Sequence, residues 1–154
     1  MVRTSRELAR RMEEHGQKTY PEECCGILLG STDGDETVIL DVVEIDNLQE
    51  DNRRRRFLIT PKQYLQAERA ASERNLQLLG FYHSHPDHPA IPSEFDREHA
   101  LPWFTYIVLS VAYGEAKVMT AWFLSESRDR FNETPLSIET TRPVKIEEER
   151  GSGR

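Results

Sequence analysis

Two apolar runs, a short one at residues 24–29 and one rich in Val and Ile at 37–45, stand on either side of Ser31-Thr32-Asp33-Gly34-Asp35, and this pairing constrains the chain more than any other feature. A short apolar run closed by Gly30, a polar turn and a second run rich in Val and Ile together specify a β-hairpin. Its strands carry too many apolar residues to stand alone in water, so the rest of the chain must cover them. With 154 residues there is room for about one domain, and folding should bury roughly 68–70% of the extended surface.

The covering elements can be read in order. Leu8, Ala9 and Met12 recur at helical spacing over residues 5–15, with Gly16 as the expected stop. Residues 46–56 are polar, end in Arg53-Arg54-Arg55-Arg56 and read as a solvated loop leading to a short strand at 57–59. Pro61 suits the first turn of a helix that runs to about Asn75. Residues 77–83 read as a strand, 93–100 as a short helix, and 105–112 and 116–124 as two core strands joined by Tyr113-Gly114-Glu115. A last strand is expected at 136–140. The expected fold class is α/β: a single domain over residues 1–142, with a mixed β-sheet flanked by helices, followed by a charged, disordered tail over 143–154. Trp103, Trp122, Phe104, Tyr106 and Phe123 fall in or beside strands and are expected in the core.

Composition narrows the function. Charged residues make up 31% of the chain against a usual share of about 25%, and the formal net charge is -7. An acidic domain of this kind is expected to bind neither nucleic acid nor a membrane surface. No run approaches the roughly 18 to 20 apolar residues of a membrane helix, and the charged first eleven residues lack a signal-type apolar stretch, so a cytoplasmic location is expected. The only cysteines, Cys24 and Cys25, are sequence neighbours; they make no disulfide framework and read as small buried residues in a reducing compartment.

The densest polar cluster is His83-Ser84-His85-Pro86-Asp87-His88-Pro89, followed by Ser93-Glu94-Phe95-Asp96. Residues two apart at a strand end face the same way, so His83 and His85 can converge on one metal ion at about 2.0 to 2.1 Å. Pro86, Pro89 and Pro92 stiffen the loop that follows, and a carboxylate folded back from it completes a third ligand, for which Asp96 is the best candidate. A zinc held by His, His and Asp keeps a fourth position for water, as catalytic sites do. The plainer readings stand beside these: His-x-His as a packed pair, and Ser93-x-x-Asp96 as a helix capping box. Asp87, His88, Glu94 and His99 read as loop or helix-face residues. A water-activating metal also needs a proton acceptor, and Glu22 and Glu23 both stand at the mouth of the first apolar strand.

Pro21, Glu23, Cys25 and Gly26, then His83, Ser84, His85 and Pro86, then Ser93 and Asp96, resemble the signature of the JAMM (MPN-plus) zinc metallopeptidases. The match includes the spacing from His85 to Asp96, and the resemblance covers roughly residues 8–138. It implies the fold of that family, with a cytidine-deaminase-like architecture. It also implies that His83, His85 and Asp96 bind zinc, that Glu23 rather than Glu22 is the general acid and base, and that Ser93 helps stabilise the oxyanion. The compact form looks most like the stand-alone prokaryotic members. The implied activity is hydrolysis of an amide or isopeptide bond after the C-terminal Gly-Gly of a ubiquitin-like sulfur-carrier protein. The alternative is a catalytically silent scaffold or binding module of the same family, whose members typically lose a metal ligand; none is missing here. A zinc nucleoside deaminase needs a Pro-Cys-x-x-Cys pair, which this chain lacks. The four arginines either are solvated or grip an acidic partner.

Overall fold

The computed structural model describes residues 1–50, 52–54, 56–57 and 59–140, and the expected tail over 143–154 lies outside them. The elements in chain order are β1 (Val2–Ser5), α1 (Arg6–Thr19), β2 (Cys25–Asp33), β3 (Glu36–Ile45), α2 (Pro61–Glu73), β4 (Gln77–Pro86), α3 (Glu94–His99), β5 (Thr105–Ala112), β6 (Glu115–Leu124), β7 (Phe131–Thr134) and β8 (Leu136–Glu139). The strands form one sheet in the order β7-β6-β5-β4-β2-β3-β1-β8. It is mixed: β4 and β5 run parallel, as do β1 with β3 and with β8, while the other pairs are antiparallel.

The hairpin forms as the sequence requires, with Gly34 at φ 60° supplying the left-handed residue of the turn. Alternation along the strands sorts the core into two layers. Leu28 and Tyr82 pack with Leu8 and Met12 of α1 on one face. Ile27, Leu29 and Phe81 pack with Ala67 and Ala71 of α2 on the other, together with Phe104 and Tyr106. β4 thus presents Phe81, His83 and His85 to the face of α2 and α3, and Tyr82 and Ser84 to α1. Gly80 lets β4 and β5 approach: a Cβ there would stand 1.8 Å from the Thr105 carbonyl oxygen. Thr60 and Gln63 form a reciprocal capping box at the start of α2.

Four expectations give way. Gly16 does not stop α1, which continues to Thr19, because the position serves helix–sheet contact: a Cβ would meet Leu109 at 2.9 Å and Val111 at 3.1 Å. Phe57 and Ile59 belong to no strand; the Asn47 side chain takes up the Arg56 carbonyl at 2.9 Å, and the Phe57 ring stacks on His83. Trp103 is 69% exposed rather than buried, since it sits on the turn before β5, while Phe104 and Tyr106 enter the core. β1 and β7 add strands at or near the sheet edges that their polar, four-residue sequences did not announce. Among the described residues no helix is long and apolar enough to cross a membrane.

Candidate metal centre

β4 ends beside its parallel neighbour β5, and the chain crosses between them through α3, so the loop after β4 turns back over the sheet. Such a crevice outside the carboxyl end of parallel strands is a common place for a site. His83 Nε2 lies 3.1 Å from His85 Nε2 and 3.0 Å from Asp96 Oδ2, and His85 Nε2 lies 3.1 Å from the same oxygen. All three residues are buried. Ligands about 2.0 to 2.1 Å from a tetrahedral zinc stand about 3.3 Å apart, so this triangle is close to the required size. Among the described residues this is the group of His, Cys, Asp and Glu side chains that could hold a metal ion.

Each member is held by a local device. His85 Nδ1 lies 2.9 Å from the Pro89 carbonyl oxygen, which fixes the proton on Nδ1 and leaves the Nε2 lone pair for the centre. The His83 ring is stacked 4.6 Å from that of Phe57. Ser93 caps α3: its Oγ accepts from Asp96 N at 3.1 Å, and its own N–H donates to Asp96 Oδ2 at 2.8 Å. The capping box and the ligand assignment are therefore one arrangement, because the cap aims the carboxylate at the two imidazoles. Asp96 Oδ1 and His83 Nδ1 are buried with no hydrogen-bond partner. A carboxylate with a free lone-pair edge beside two imidazoles suits a cation. Burial pushes the Asp96 carboxyl up, but the charge and hydrogen bonds of His83, His85 and the Ser93 N–H outweigh it and hold the group well below the usual carboxylate range.

Glu23 is buried beside this centre and Glu22 is exposed. Burial pushes the Glu23 carboxyl up to about 9, with the Asp96 carboxylate adding to the shift, and its Oε1 has no partner. Its backbone is pinned: the N–H donates to the Arg53 carbonyl at 2.7 Å, and the carbonyl accepts from Asn47 Nδ2 at 3.1 Å. Glu23, His85, His88 and Ser93 line one hollow together.

The remaining candidates do not reach the centre. Asp87, at φ 58°, accepts from the Tyr20 hydroxyl at 2.5 Å and from the Tyr113 N–H at 2.8 Å, tying the end of α1 to the loop after β4. Glu94 pairs with Arg97, and the His99 ring stacks on Phe95 at 4.1 Å. Burial pushes the Cys24 thiol up to about 12 and that of Cys25 higher, as inert core residues require. Arg53, Arg54 and Arg56 are exposed, and Arg56 lies over the Phe95 ring at 4.6 Å.

Sequence reasoning named Ser84 within the motif but gave it no role. It is fully buried between the two histidines on the opposite face, and its Oγ accepts from Cys24 N at 2.8 Å while its N–H donates to the Cys24 carbonyl at 3.2 Å. This clamp sets the start of β2, and so Glu23, against β4. Its signal was the strand alternation itself, which points residue 84 away from the His83 and His85 rings and toward α1. Ser84→Ala leaves the Cys24 N–H unsatisfied and is expected to lower kcat about ten-fold with KM and zinc affinity within about two-fold. Steady-state kinetics beside a chelator competition check this; a parallel loss of zinc would show that the clamp serves the ligands instead.

Comparison with known proteins places the chain among relatives. Residues 5–125 match a family model described as prokaryotic homologs of the JAB domain. A protein of Pyrococcus furiosus named Desampylase is 33% identical over 117 residues, 76% of this chain and 76% of that protein. The solution structure of a protein from Desulfitobacterium hafniense matches with a TM-score of 0.81 at 25% identity, covering 92% of this chain and 95% of the other. The crystal structure of a JAB1/MPN domain protein from Archaeoglobus fulgidus, at 20% identity, shares the fold with a TM-score of 0.55, over 90% of this chain and 99% of that one.

Proposed function

This chain belongs to the prokaryotic JAMM/MPN family and is a hydrolase of that family, and from that premise we propose that it is a zinc-dependent isopeptidase acting after the C-terminal Gly-Gly of a ubiquitin-like sulfur-carrier protein. The observation that carries the reading is the convergence of His83 Nε2, His85 Nε2 and Asp96 Oδ2 within 3.1 Å of one another, beside a buried, unpartnered Glu23 carboxyl. The complete triad also speaks against a silent scaffold.

His83, His85 and Asp96 would hold the zinc, which when bound supplies Lewis acidity toward the scissile carbonyl and its attacking water. Glu23 takes the water's proton on its carboxylate, the form that the positive charge of a bound zinc would favour over the protonated form of the metal-free site. Its apolar surroundings make it a strong enough base to accept the proton and hold it until the tetrahedral intermediate collapses. Glu23 then returns that proton to the departing amine. Ser93 Oγ accepts from Asp96 N through a lone pair, so its hydroxyl hydrogen is left to donate to the developing oxyanion. Ser93 is exposed while its cap is fixed, which suits a donor that must meet substrate.

Both glycines lie on the acyl side of the scissile bond, and in the proposed reaction that part of the substrate must pass close over His83 and His85 with no Cβ atoms in the way. Replacing either terminal glycine of a ubiquitin-like fusion by alanine is expected to lower kcat/KM at least about 100-fold, on the scale by which sites discriminate against misfitting groups. Intact-mass measurement of the products checks the cleavage position. Cleavage of the alanine forms at an equal rate, or at another bond, would exclude the Gly-Gly reading.

A further inference from the structure

The loop that fixes the His85 ring is itself held from the sheet. The Pro89 carbonyl oxygen lies 2.9 Å from His85 Nδ1, and the next carbonyl, that of Ala90, accepts from Thr120 Oγ1 at 2.7 Å. Thr120 Oγ1 in turn accepts from Trp122 Nε1 at 2.7 Å. A hydroxyl has one proton to donate, and here the Ala90 carbonyl is the nearer acceptor, since the Val108 carbonyl stands at 3.4 Å. Thr120 of β6 pairs with Val108 of β5, and Val108 with His83 of β4, so the contact anchors the loop to the sheet two strands away from the metal ligands. At the other end of the loop, Asp87 is anchored by its N–H on the Val111 carbonyl at 2.7 Å and by its carboxylate on Tyr20 and Tyr113.

Pro89 therefore lies between two anchors, and Thr120 holds the nearer one. Ala90 is buried, so loss of the hydroxyl leaves its carbonyl as an unpaired buried acceptor, a cost that movement of the loop relieves. The Pro89 carbonyl and the Ala90 nitrogen share one planar peptide unit, so movement at Ala90 turns the oxygen that meets His85. We propose that Thr120 is a positioning residue of the metal centre: it acts through Ala90 and Pro89 to aim the His85 Nε2 lone pair, and Trp122 sets the direction of its hydroxyl. This rests on the reading of His83, His85 and Asp96 as a zinc site.

The test uses the full chain with Thr120→Val, which keeps the branched shape and removes the hydroxyl, and Thr120→Ser, which restores it. Losing the direct partner of a ligand weakens metal binding about 10- to 100-fold, and Thr120 acts one step further out, so Thr120→Val is expected to weaken zinc binding about ten-fold in a chelator competition and Thr120→Ser less than about three-fold. Trp122→Phe frees the hydroxyl to turn toward Val108 and is expected to fall between them. A second readout needs no metal. In chelator-stripped protein, isotope-labelled at its histidines, the His85 Nδ1–H is identified by its absence from His85→Gln. It is expected to be protected from exchange in the wild type and Thr120→Ser and to exchange freely in Thr120→Val. A wild type that takes up no zinc, yet whose Nδ1–H depends on the Thr120 hydroxyl, would uphold the positioning role and refute the zinc reading. Unchanged zinc affinity and unchanged protection in Thr120→Val, or equal losses in the valine and serine variants, would overturn the role.

Discussion

Glu23→Gln is expected to retain one zinc per chain and to lose about 1,000-fold in kcat, the middle of the range by which a positioned general acid–base accelerates proton transfer. The amide keeps the shape and polarity of the side chain but can neither take the water's proton nor return it. The same change should stabilise the metal-free protein. Burial raises the Glu23 carboxyl from its ordinary value of 4.5 to about 9. Below 4.5 the folded and unfolded chains both carry the proton, and burial exacts no pH-dependent penalty. As pH rises from 4.5 toward 9 the unfolded chain gives up its proton while the folded chain keeps it, so the wild type loses stability across that window. The gain from Glu23→Gln should therefore be larger at pH 8 than at pH 5, read as the difference in Tm between variant and wild type in chelator. An equal gain at both pH values, or loss of zinc by the variant, would mean that Glu23 is not the proton carrier beside the centre.

Asp96→Ala is expected to weaken zinc binding by more than about 100-fold, beyond the loss seen when only a supporting partner of a ligand is removed. It removes the oxygen that faces both imidazoles and, with it, the acceptor for the Ser93 N–H. Loss of that cap should lower stability by about 1 kcal/mol, which alone would not release a metal. Asp96→Asn separates the two effects, since the amide oxygen can still accept from Ser93 N while carrying no charge. It should restore most of the stability and little of the zinc affinity. Wild-type affinity in both variants would remove Asp96 from the centre.

Much of this arrangement was legible in the chain because it is local. The His-x-His at the end of β4 follows from strand period, and Ser93-x-x-Asp96 is a capping signal that the structure uses to aim the carboxylate. The hairpin of β2 and β3 follows from Gly34 and its flanking runs. What was not legible depends on contacts far apart in sequence. Gly16 looked like a helix stop because only the packed fold reveals Leu109 and Val111 against it. Phe57 looked like strand because its ring is apolar, yet its place is set by the His83 ring. The choice between Glu22 and Glu23 could not be made from residue type, and the structure separates them by burial. β1 and β7 are polar strands whose partners supply the order that their own sequences lack. Trp103 shows the converse, an aromatic that is exposed while the ring next to it in sequence, Phe104, is buried.

Hydrolysis by this chain is proposed to require one zinc at His83, His85 and Asp96. The most direct test of this requirement is to strip the protein with chelator and add zinc back in steps while following cleavage of a Gly-Gly-linked ubiquitin-like fusion. Turnover should rise in proportion to added zinc and level off at one equivalent per chain. Full turnover by the stripped protein, or none after one equivalent has bound, would contradict it.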